Sequence, residues 1–302
     1  FTHKYVKIDW IESENEYWLE TEATLRADFN VTTGTKIEDM SPMKYKSKMK
    51  AVYEKAGIKA CRYHLVQGYD DAKAFIDEVG YPVVVKPDNG VGASDTHKLK
   101  ADEDLNHFFE TKLDVQYIME KFVPVHVETF DGITNSKKEI LVCSSHVMLN
   151  SIMDNVNLGV DTAFHSQKIE DLDLYEIGKK AVQAFDTRSR YFHFEFFRLD
   201  EDKEGLGKKG DILGLEVNMR APGAYMPDML NYACDIDVYD IWAQMLVEDK
   251  TDWYAQRKYY VGYCSRRFNF SYKQSMDEIR WEYGDNLLID LDVPKALSAA
   301  MG

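Results

Sequence analysis

The sequence predicts a mixed α+β protein with antiparallel strands in its central part. Two stretches, "RYFHFEFFRLD" and "GDILGLEVNMR", have the apolar runs of strands and are joined by a charged, glycine-rich loop, which is typical of a hairpin. A third stretch, "DLYEIGKKAVQAF", places its apolar residues at helical spacing. The chain of 302 residues is long enough for two domains of this kind.

Composition limits the classes of function. The 37 Lys and Arg residues against 52 Asp and Glu give a formal charge of −15, which argues against a nucleic-acid footprint and against binding to an anionic membrane surface. Apolar runs such as "YPVVV" are too short to span a bilayer. The four widely spaced cysteines form no CxxC pair, so we expect reduced thiols that pack as small apolar side chains in a cytoplasmic protein.

The N-terminal part is predicted to alternate between strands and helices. Alternation in "HKYVKIDWI" indicates a strand, and helical periodicity in "ENEYWLETEATLRADF" indicates a helix whose acidic start suits the positive end of a helix dipole. "TTGTKIEDMSP" is rich in turn residues and is expected to be a linker. Ser41-Pro42 is expected to open a second helix, "MKYKSKMKAVYEKAG", which Gly57 ends.

The following stretches are short and bounded by turn residues. "CRYHLV", "YPVVVK", "HKLK" and "VQYIMEKFV" indicate strands, whereas "DDAKAFIDEVG" and "ADEDLNHFFETKL" indicate helices. "HVETFDGITNSKKEILVCSSHVML" is expected to form strands joined by turns at Asp131-Gly132 and Asn135-Ser136. Residues 150–168 have weak periodicity and are expected to form a loop, and "MLNYACDIDVYDIWAQML" is expected to be helical.

Lys86 closes an apolar strand and runs directly into a glycine-bearing loop, "KPDNGVGAS". Glycines free the backbone so that its N–H groups can face an anion. Because the lysine precedes the glycines, the pattern is neither a Walker A loop nor a GxGxxG dinucleotide turn. On its own, the stretch is compatible with a phosphate site and with an ordinary surface turn.

Two other charged stretches flank this loop in the sequence. In "KYKSKMK" the lysines are spaced by two, and positions two apart on a helix point in different directions. We therefore expect most of them to be solvated and one or two to reach inward. "YIMEKFV" places Glu120 and Lys121 at a strand end, which suits either a charged strand terminus or an edge whose backbone pairs with a purine.

The most specific local pattern is a set of hard oxygen ligands on two predicted strands. Glu195 lies within "FHFEFF", so its side chain is expected on the face opposite the flanking phenylalanines. On the next strand Glu216, Asn218 and Arg220 share one face by the same period of two. A buried carboxylate is costly unless it is paired or metal-bound, and two carboxylates with an amide oxygen suit Mg²⁺. A solvated polar face of an antiparallel sheet is the alternative.

Taken in order, a helix lysine, "VVVKPDNGVGAS", "IMEKFV", "HFEFF" and "LEVNMRAPG" resemble the ATP-grasp superfamily of carboxylate–amine ligases, closest to its amino-acid-ligase and biotin-carboxylase-like branches. The resemblance covers roughly Met43 to Leu246. It implies two α+β subdomains that grip ATP between them: residues 43–124, with a lid over 61–122, and residues 125–302, with the metal site and a C-terminal extension. Residues 1–42 would be the tail of a preceding α/β domain and a linker, which fits a fragment of a longer protein.

The resemblance also implies roles for single residues. The loop from Asp88 would close over the phosphates, Glu120 would accept from the adenine amino group, and Glu128 would bind the ribose. The implied nucleotide-binding residues are Lys46, Lys86, Ser94, Glu120, Lys121, Val123 and Glu128. The implied metal ligands are Glu195, Glu216 and Asn218. Arg220 would contact the transferring phosphoryl group or the acyl phosphate, and the implied cofactors are ATP and two Mg²⁺ ions, with Mn²⁺ as an alternative.

The activity that the resemblance implies is an ADP-forming ligase, which activates a carboxylate as an acyl phosphate for attack by an amine. Its partners would be small molecules, and a homodimer is allowed. A bicarbonate-phosphorylating carboxylase and a non-catalytic ATP-binding module are the alternatives. Arg266 and Arg267 would either bind a substrate carboxylate or be structural surface residues, and the pattern assigns no role to His126 or His193.

Overall fold

The computed structural model of the chain describes residues 4, 6–91, 94–123, 125–149, 159–169 and 173–292. The α-helices within these ranges are α1 (Leu19–Asp28), α2 (Ser41–Lys44), α3 (Lys46–Lys55), α4 (Tyr69–Val79), α5 (Asp102–Thr111), α6 (Asp173–Ala184), α7 (Met226–Cys234), α8 (Val238–Glu248) and α9 (Met276–Tyr283). The strands are β1 (Tyr63–Leu65), β2 (Val83–Pro87), β3 (His97–Leu99), β4 (Tyr117–Lys121), β5 (Val125–Thr134), β6 (Ile140–Met148), β7 (Ala163–Gln167), β8 (Arg190–Leu199), β9 (Ile212–Asn218) and β10 (Gly262–Cys264). Short 3₁₀ turns lie at Glu16–Trp18, Ile37–Asp39 and Gly284–Asn286.

The strands form two antiparallel sheets, and the predicted mixed fold is confirmed. The smaller sheet has the order β1-β4-β2-β3, and the larger has the order β10-β7-β6-β5-β8-β9. Apolar residues of α4 and α5 pack against Val83, Val85 and Met119 on one face of the smaller sheet. Because side chains alternate along a strand, the opposite face of β2 and β4 carries Lys86 and Glu120.

Helices α1, α2, α3 and α6 pack into the core on one face of the larger sheet. Four fully buried phenylalanines of β5 and β8 form its centre: Phe130, Phe192, Phe194 and Phe196. Gly214 lets α3 approach β9 closely, since a Cβ at this position would lie 2.6 Å from the ring of Tyr53. The Gly214 N–H donates to Lys59 O at 2.8 Å. The segment that leads into the smaller sheet is therefore anchored on β9 of the larger one.

The cysteines follow the predicted pattern except at one position. None of the four is in a disulfide; Cys61 and Cys234 are buried and Cys143 is half-buried, whereas Cys264 is exposed. Across the described ranges, no helix combines the length and the apolarity needed to traverse a bilayer.

The predicted N-terminal strand is wrong for the part of it that the structure describes. Residues 6–15 are irregular. The reason lies in Arg26 of α1, a fully buried side chain that donates to Ile11 O from Nε at 3.0 Å and from Nη2 at 2.6 Å. The arginine side chain thus makes the hydrogen bonds to this backbone carbonyl that a neighbouring strand would otherwise make.

The helix predicted after Ser41-Pro42 is interrupted. Tyr45 is extended, with φ −99° and ψ 122°, and separates α2 from α3. Asp88, from the loop after β2, caps the new helix: the Ser47 N–H donates to Asp88 Oδ1 at 2.7 Å, and Ser47 Oγ donates to Oδ2 at 2.7 Å. A capping residue distant in sequence has the same effect as a local N-cap, which sequence periodicity does not reveal.

The predicted turn at Asp131-Gly132 is also wrong, whereas a turn does begin at Asn135. Strand β5 runs through both residues to Thr134. Gly132 serves close packing instead, because a Cβ there would lie 2.3 Å from Val142 O on β6 and 2.8 Å from Cζ of Phe192 on β8. Of the predicted loop at 150–168, residues 150–158 lie outside the described ranges, and Ala163–Gln167 are a strand between β6 and β10.

The packing of Gly132 predicts a specific stability defect. We expect Gly132→Ala to lower the free energy of unfolding by about 2 kcal/mol, because backbone of a central strand cannot move away without loss of ladder hydrogen bonds. Thermal unfolding followed by circular dichroism measures the effect. Gly262→Ala is the matched control, since a Cβ at that strand position meets nothing within 4 Å. Equal melting temperatures for the two variants would contradict the packing role of Gly132.

Candidate active site

The glycine loop after β2 is bonded to the first residue of α3. The Lys46 N–H donates to Asp88 O at 2.8 Å, and Lys46 Nζ donates to Gly90 O at 2.6 Å. The same Nζ lies 2.9 Å from Glu216 Oε1 on β9, with 7% of the lysine side chain exposed. Lys46 thus joins the loop of the smaller sheet to the candidate metal strand of the larger sheet.

Glu120 of β4 lies between two lysines. Lys86 Nζ on β2 is 3.1 Å from Glu120 Oε2, and Lys50 Nζ on α3 is 3.0 Å from Oε1. Lys50 is fully buried, and its Nζ lies 3.4 Å from the carbonyl oxygens of Gly214 and Leu215 on β9. The two sheets are therefore bridged through one buried ammonium group of α3.

Three lysines and two glutamates form a charged assembly in which opposite charges stabilise one another: Lys46, Lys50, Lys86, Glu120 and Glu216. Burial alone would raise the pKa of Glu120, but Lys50 and Lys86 outweigh it and lower that pKa to about 2. Burial would likewise lower the pKa of Lys86, but Glu120 and Glu216 outweigh it and raise the pKa. For Glu216 the effect of burial is outweighed by Lys46 and Lys86, so its pKa is lowered. Lys86 therefore stays cationic, and Glu120 and Glu216 stay ionised, near neutral pH.

Two carboxylates face each other across β8 and β9. Glu195 is the register partner of Glu216, and His193 is the register partner of Asn218. The Glu195 and Glu216 side chains are 15% and 18% exposed, whereas Phe194 on the opposite face is fully buried. The alternation read from the sequence therefore places the predicted oxygen ligands on one face.

The donor chemistry of this face fits Mg²⁺. Glu195, Glu216 and Asn218 offer two carboxylates and an amide oxygen, and hard oxygen ligands are those that Mg²⁺ takes. Among the described residues no cluster of three or more His, Cys, Asp or Glu side chains forms a complete metal site. Mg²⁺ commonly takes one or two carboxylates and completes its shell with water and substrate phosphates. The residues present therefore suit an ion that arrives together with phosphate.

Arg220 follows β9 and faces the N-terminal segment. Its Nη1 donates to Ala221 O at 2.9 Å, and its Nη2 lies 3.4 Å from Glu16 Oε2. The Ala221 N–H donates to Glu14 Oε2 at 2.7 Å. Burial and the nearby Glu216 raise the pKa of Glu16. The sequence pattern relates these acidic residues to a helix dipole, but they reach the candidate site because residues 6–15 are not in a sheet.

No family model matches the sequence, and no curated protein gives a significant match. Solved structures do match. An L-amino acid ligase from Bacillus licheniformis matches over 86% of this chain, with a TM-score of 0.66 and 16% identity. The biotin carboxylase domain of Hydrogenobacter thermophilus 2-oxoglutarate carboxylase, solved with MgADP, ADP and bicarbonate, matches over 82%, with a TM-score of 0.64 and 15% identity. The chain has the ATP-grasp fold.

This chain matches only part of the length of each of these ATP-grasp structures. The chain spans 62% of the length of the ligase and 55% of the length of the carboxylase domain. A biotin carboxylase from Campylobacter jejuni matches over 81% of this chain with a TM-score of 0.60 and 20% identity, and here the chain spans 54% of the solved protein.

Two of the residues that are predicted to bind the nucleotide lie apart from the charged assembly. Ser94 is exposed, and its N–H donates to Val91 O at 3.2 Å. The Lys121 N–H, which was predicted to contact the purine, donates to Arg62 O at 3.0 Å. Lys121 Nζ donates to Gly80 O at 3.0 Å. Within the described residues, these contacts join neither side chain to Lys46 or Lys86, and both roles stay predictions.

Val123 and Glu128 lie beyond the end of β4 and on β5. Val123 is buried in a small apolar cluster that includes Leu213. The Glu128 carboxylate accepts from Arg198 Nε and Nη2, both at 2.9 Å, and lies 3.3 Å from His126 Nε2. A ribose hydroxyl would have to share this carboxylate with the arginine, so the predicted ribose contact stays a prediction.

Lys50 belongs to the charged assembly, but the sequence pattern does not single it out. Lys44, Lys46 and Lys50 are buried and Lys48 is exposed, so the expectation that most of these lysines are solvated is wrong. Lys46 and Lys50 are four apart on α3 and therefore share a face. The spacing of two in the sequence obscures this spacing of four, and the break at Tyr45 places Lys44 on a different helix.

Arg266 and Arg267 have local structural partners. Arg266 lies over the ring of Tyr272, 3.9 Å from its centroid, and Nη2 donates to Gln274 O at 2.6 Å. Arg267 Nε donates to Val160 O at 2.9 Å. These contacts favour the structural interpretation of both arginines over substrate binding.

Proposed function

We propose that this ATP-grasp protein is an ADP-forming ligase, which activates a carboxylate as an acyl phosphate for attack by an amine. The observation that carries the proposal is the convergence of Lys46 and Lys86 with Glu216 at the junction of the two sheets. Lys46 Nζ lies 2.9 Å from Glu216 Oε1, and Lys86 Nζ lies 3.1 Å from Glu120 Oε2. Phosphoryl transfer requires mainly alignment and charge neutralisation, and this assembly supplies fixed charges of both signs.

The two lysines would hold the phosphates of ATP. Lys46 is restrained by Gly90 O and Glu216, and Lys86 is restrained by Glu120, so both ammonium groups are placed before a ligand arrives. Such preorganised charges cost little reorganisation when negative charge develops. Glu195, Glu216 and Asn218 would hold Mg²⁺, which when bound supplies neutralisation of the β- and γ-phosphate oxygens.

The reaction would proceed in two balanced steps. A substrate carboxylate oxygen attacks the γ-phosphorus, the bond from that phosphorus to the β–γ bridging oxygen breaks, and ADP leaves with the electron pair. An amine nitrogen then attacks the acyl carbon, the C–O bond to phosphate breaks, and the nitrogen loses a proton. Arg220, whose side chain is 22% exposed beside the metal face, would contact the transferring phosphoryl group, and exclusion of water would protect the acyl phosphate.

The relatives favour two kinds of carboxylate substrate. One solved relative is an L-amino acid ligase, and another was solved with MgADP and bicarbonate. We propose an amino-acid or peptide-type carboxylate as the substrate, with small molecules as the only reactants and the cytoplasm as the location. Bicarbonate is the second candidate because of the carboxylase relatives.

A phosphate-release screen tests the proposal. The natural full-length protein is incubated with Mg·ATP and pairs of amino acids, and with bicarbonate in a separate arm, while ADP and phosphate are measured. We expect release that depends on an added carboxylate and an amine, with the amide product found by mass spectrometry. Stimulation by bicarbonate alone would support the carboxylase alternative. Nucleotide binding without any substrate-stimulated release would leave a non-catalytic ATP-binding module.

A further inference from the structure

A row of buried polar side chains crosses the large sheet and ends at the candidate metal face. Its centre is Asp131 on β5, a side chain that is 2% exposed. Asp131 Oδ2 accepts from Thr129 Oγ1 at 2.5 Å and lies 3.0 Å from His146 Nδ1 on β6. Asp131 Oδ1 lies 2.6 Å from His193 Nδ1 on β8. The carboxylate is therefore held from three sides, which compensates the cost of its burial.

His193 continues this row from Asp131 to Glu195. Its Nε2 lies 3.2 Å from Glu195 Oε1, so the two ring nitrogens face two carboxylates. Both ring nitrogens therefore lie within hydrogen-bonding distance of a carboxylate oxygen. Among the described residues, His193 is the hydrogen-bonding partner of the Glu195 carboxylate.

This arrangement restricts the direction of the Glu195 carboxylate. A ring held at Nδ1 by a buried carboxylate directs its Nε2 atom along one line. A glutamate on an antiparallel strand would otherwise choose among several rotamers. Outer partners that orient metal ligands in this way commonly contribute tenfold to a hundredfold in metal affinity.

We propose that His193, fixed by Asp131, is a positioning residue that holds Glu195 in the orientation needed to bind the divalent ion of Mg·ATP. The inference rests on the proposed function, since it assigns Glu195 to the metal. It gives a role to a histidine that the sequence pattern leaves without one. It also explains why an Asp that looks like part of a turn is buried in the middle of β5.

Two substitutions separate the two hydrogen bonds of the ring. His193→Asn places an amide nitrogen as many bonds from Cα as Nδ1, so it keeps a donor for Asp131 and loses the contact with Glu195. His193→Gln places an amide nitrogen as many bonds from Cα as Nε2, so it keeps a donor for Glu195. His146→Asn is the matched control, because it truncates the other buried imidazole on Asp131 in the same way and does not touch Glu195.

The measurement is the gain in nucleotide affinity that a metal provides. Dissociation constants of a non-hydrolysable ATP analogue are determined by calorimetry in EDTA and in Mn²⁺, on the natural full-length protein and on each variant. We expect His193→Asn to reduce the gain about tenfold with the metal-free affinity unchanged. His193→Gln should recover most of the gain, and His146→Asn should stay within about twofold of the natural protein. Thermal unfolding verifies that each variant is folded. If His193→Asn does not fold, the remaining test compares the gain in nucleotide affinity of His193→Gln with that of His146→Asn.

The outcomes separate this inference from the proposed function. If the natural protein binds no nucleotide, or gains no affinity from Mn²⁺, the proposed function fails first. If the natural protein shows the gain and His193→Asn shows the same gain, the positioning role is overturned while the ligase proposal stands. A loss in His146→Asn as large as in His193→Asn would overturn it as well, since the effect would then come from a loosened polar row. Loss of the gain in His193→Gln would be a third contrary result, because that variant keeps the donor.

Discussion

Glu216→Gln is expected to remove nearly all turnover and to weaken Mg·ATP binding. Glu216 lies opposite Glu195 across β8 and β9 and pairs with Lys46 at 2.9 Å. Glutamine removes the negative charge and turns an N–H₂ group toward the lysine and the metal face. If the metal contributes several kcal/mol of charge stabilisation, the turnover number should fall about a thousandfold. Phosphate release with the carboxylate and amine found in the screen measures this loss.

A surface substitution on the same hairpin provides the control for Glu216→Gln. Glu204 is exposed in the loop between β8 and β9, so Glu204→Gln makes the same chemical change away from the site. It should leave turnover and the Mg²⁺ requirement as they are in the natural protein. Near-normal turnover of Glu216→Gln would remove Glu216 from the metal site, whatever the fold of its relatives.

Lys50→Met is expected to cause the largest loss of stability. The Lys50 ammonium group is fully buried and lies 3.0 Å from Glu120 Oε1, so methionine leaves a buried carboxylate with Lys86 alone. Removal of one partner of a buried ion pair typically costs about 3–5 kcal/mol. We expect about 3 kcal/mol here, since Lys86 remains. Urea unfolding monitored by fluorescence measures the change.

Two further variants test the physical reason for this loss. Lys48 is exposed on the same helix, so Lys48→Met should change the free energy of unfolding by less than about 0.5 kcal/mol. Glu120→Gln should cost less stability in the Lys50→Met background than in the natural protein, because one of the two lysine pairs that it removes is already absent there. Additive effects of the two substitutions would contradict direct coupling between Lys50 and Glu120.

The kinds of element and the faces they present are largely readable from this sequence. "YPVVVK" and "FHFEFF" alternate so regularly that the positions of Lys86 and Glu195 opposite an apolar face follow from local periodicity. The structure places both as expected. The same local logic fails at Asp131-Gly132, because the pair resembles a turn in composition, while packing against β6 and β8 keeps it in a strand.

The candidate site was harder to predict than the elements that carry it. The sequence pattern does not single out Lys50, the lysine of α3 that bridges the sheets, and it relates Glu16 only to a helix dipole. In both cases the decisive partner comes from a distant part of the chain. The charge of a helix side chain does not show whether that side chain points into the protein or into solvent. This depends on which face of the helix is buried, and for α3 the buried face is set by its packing against β9.

By itself, the sequence determined the order and type of most of the elements, the ATP-grasp resemblance and the shared face of the oxygen ligands, because helix and strand periodicity are properties of neighbouring residues. Only the tertiary structure decided which charges meet. Lys46 and Glu216 are 170 residues apart, and Asp131 and His193 are 62 apart. Their pairing depends on strand register and on the break at Tyr45, since an ion pair forms where packing brings two buried groups together and excludes water from both.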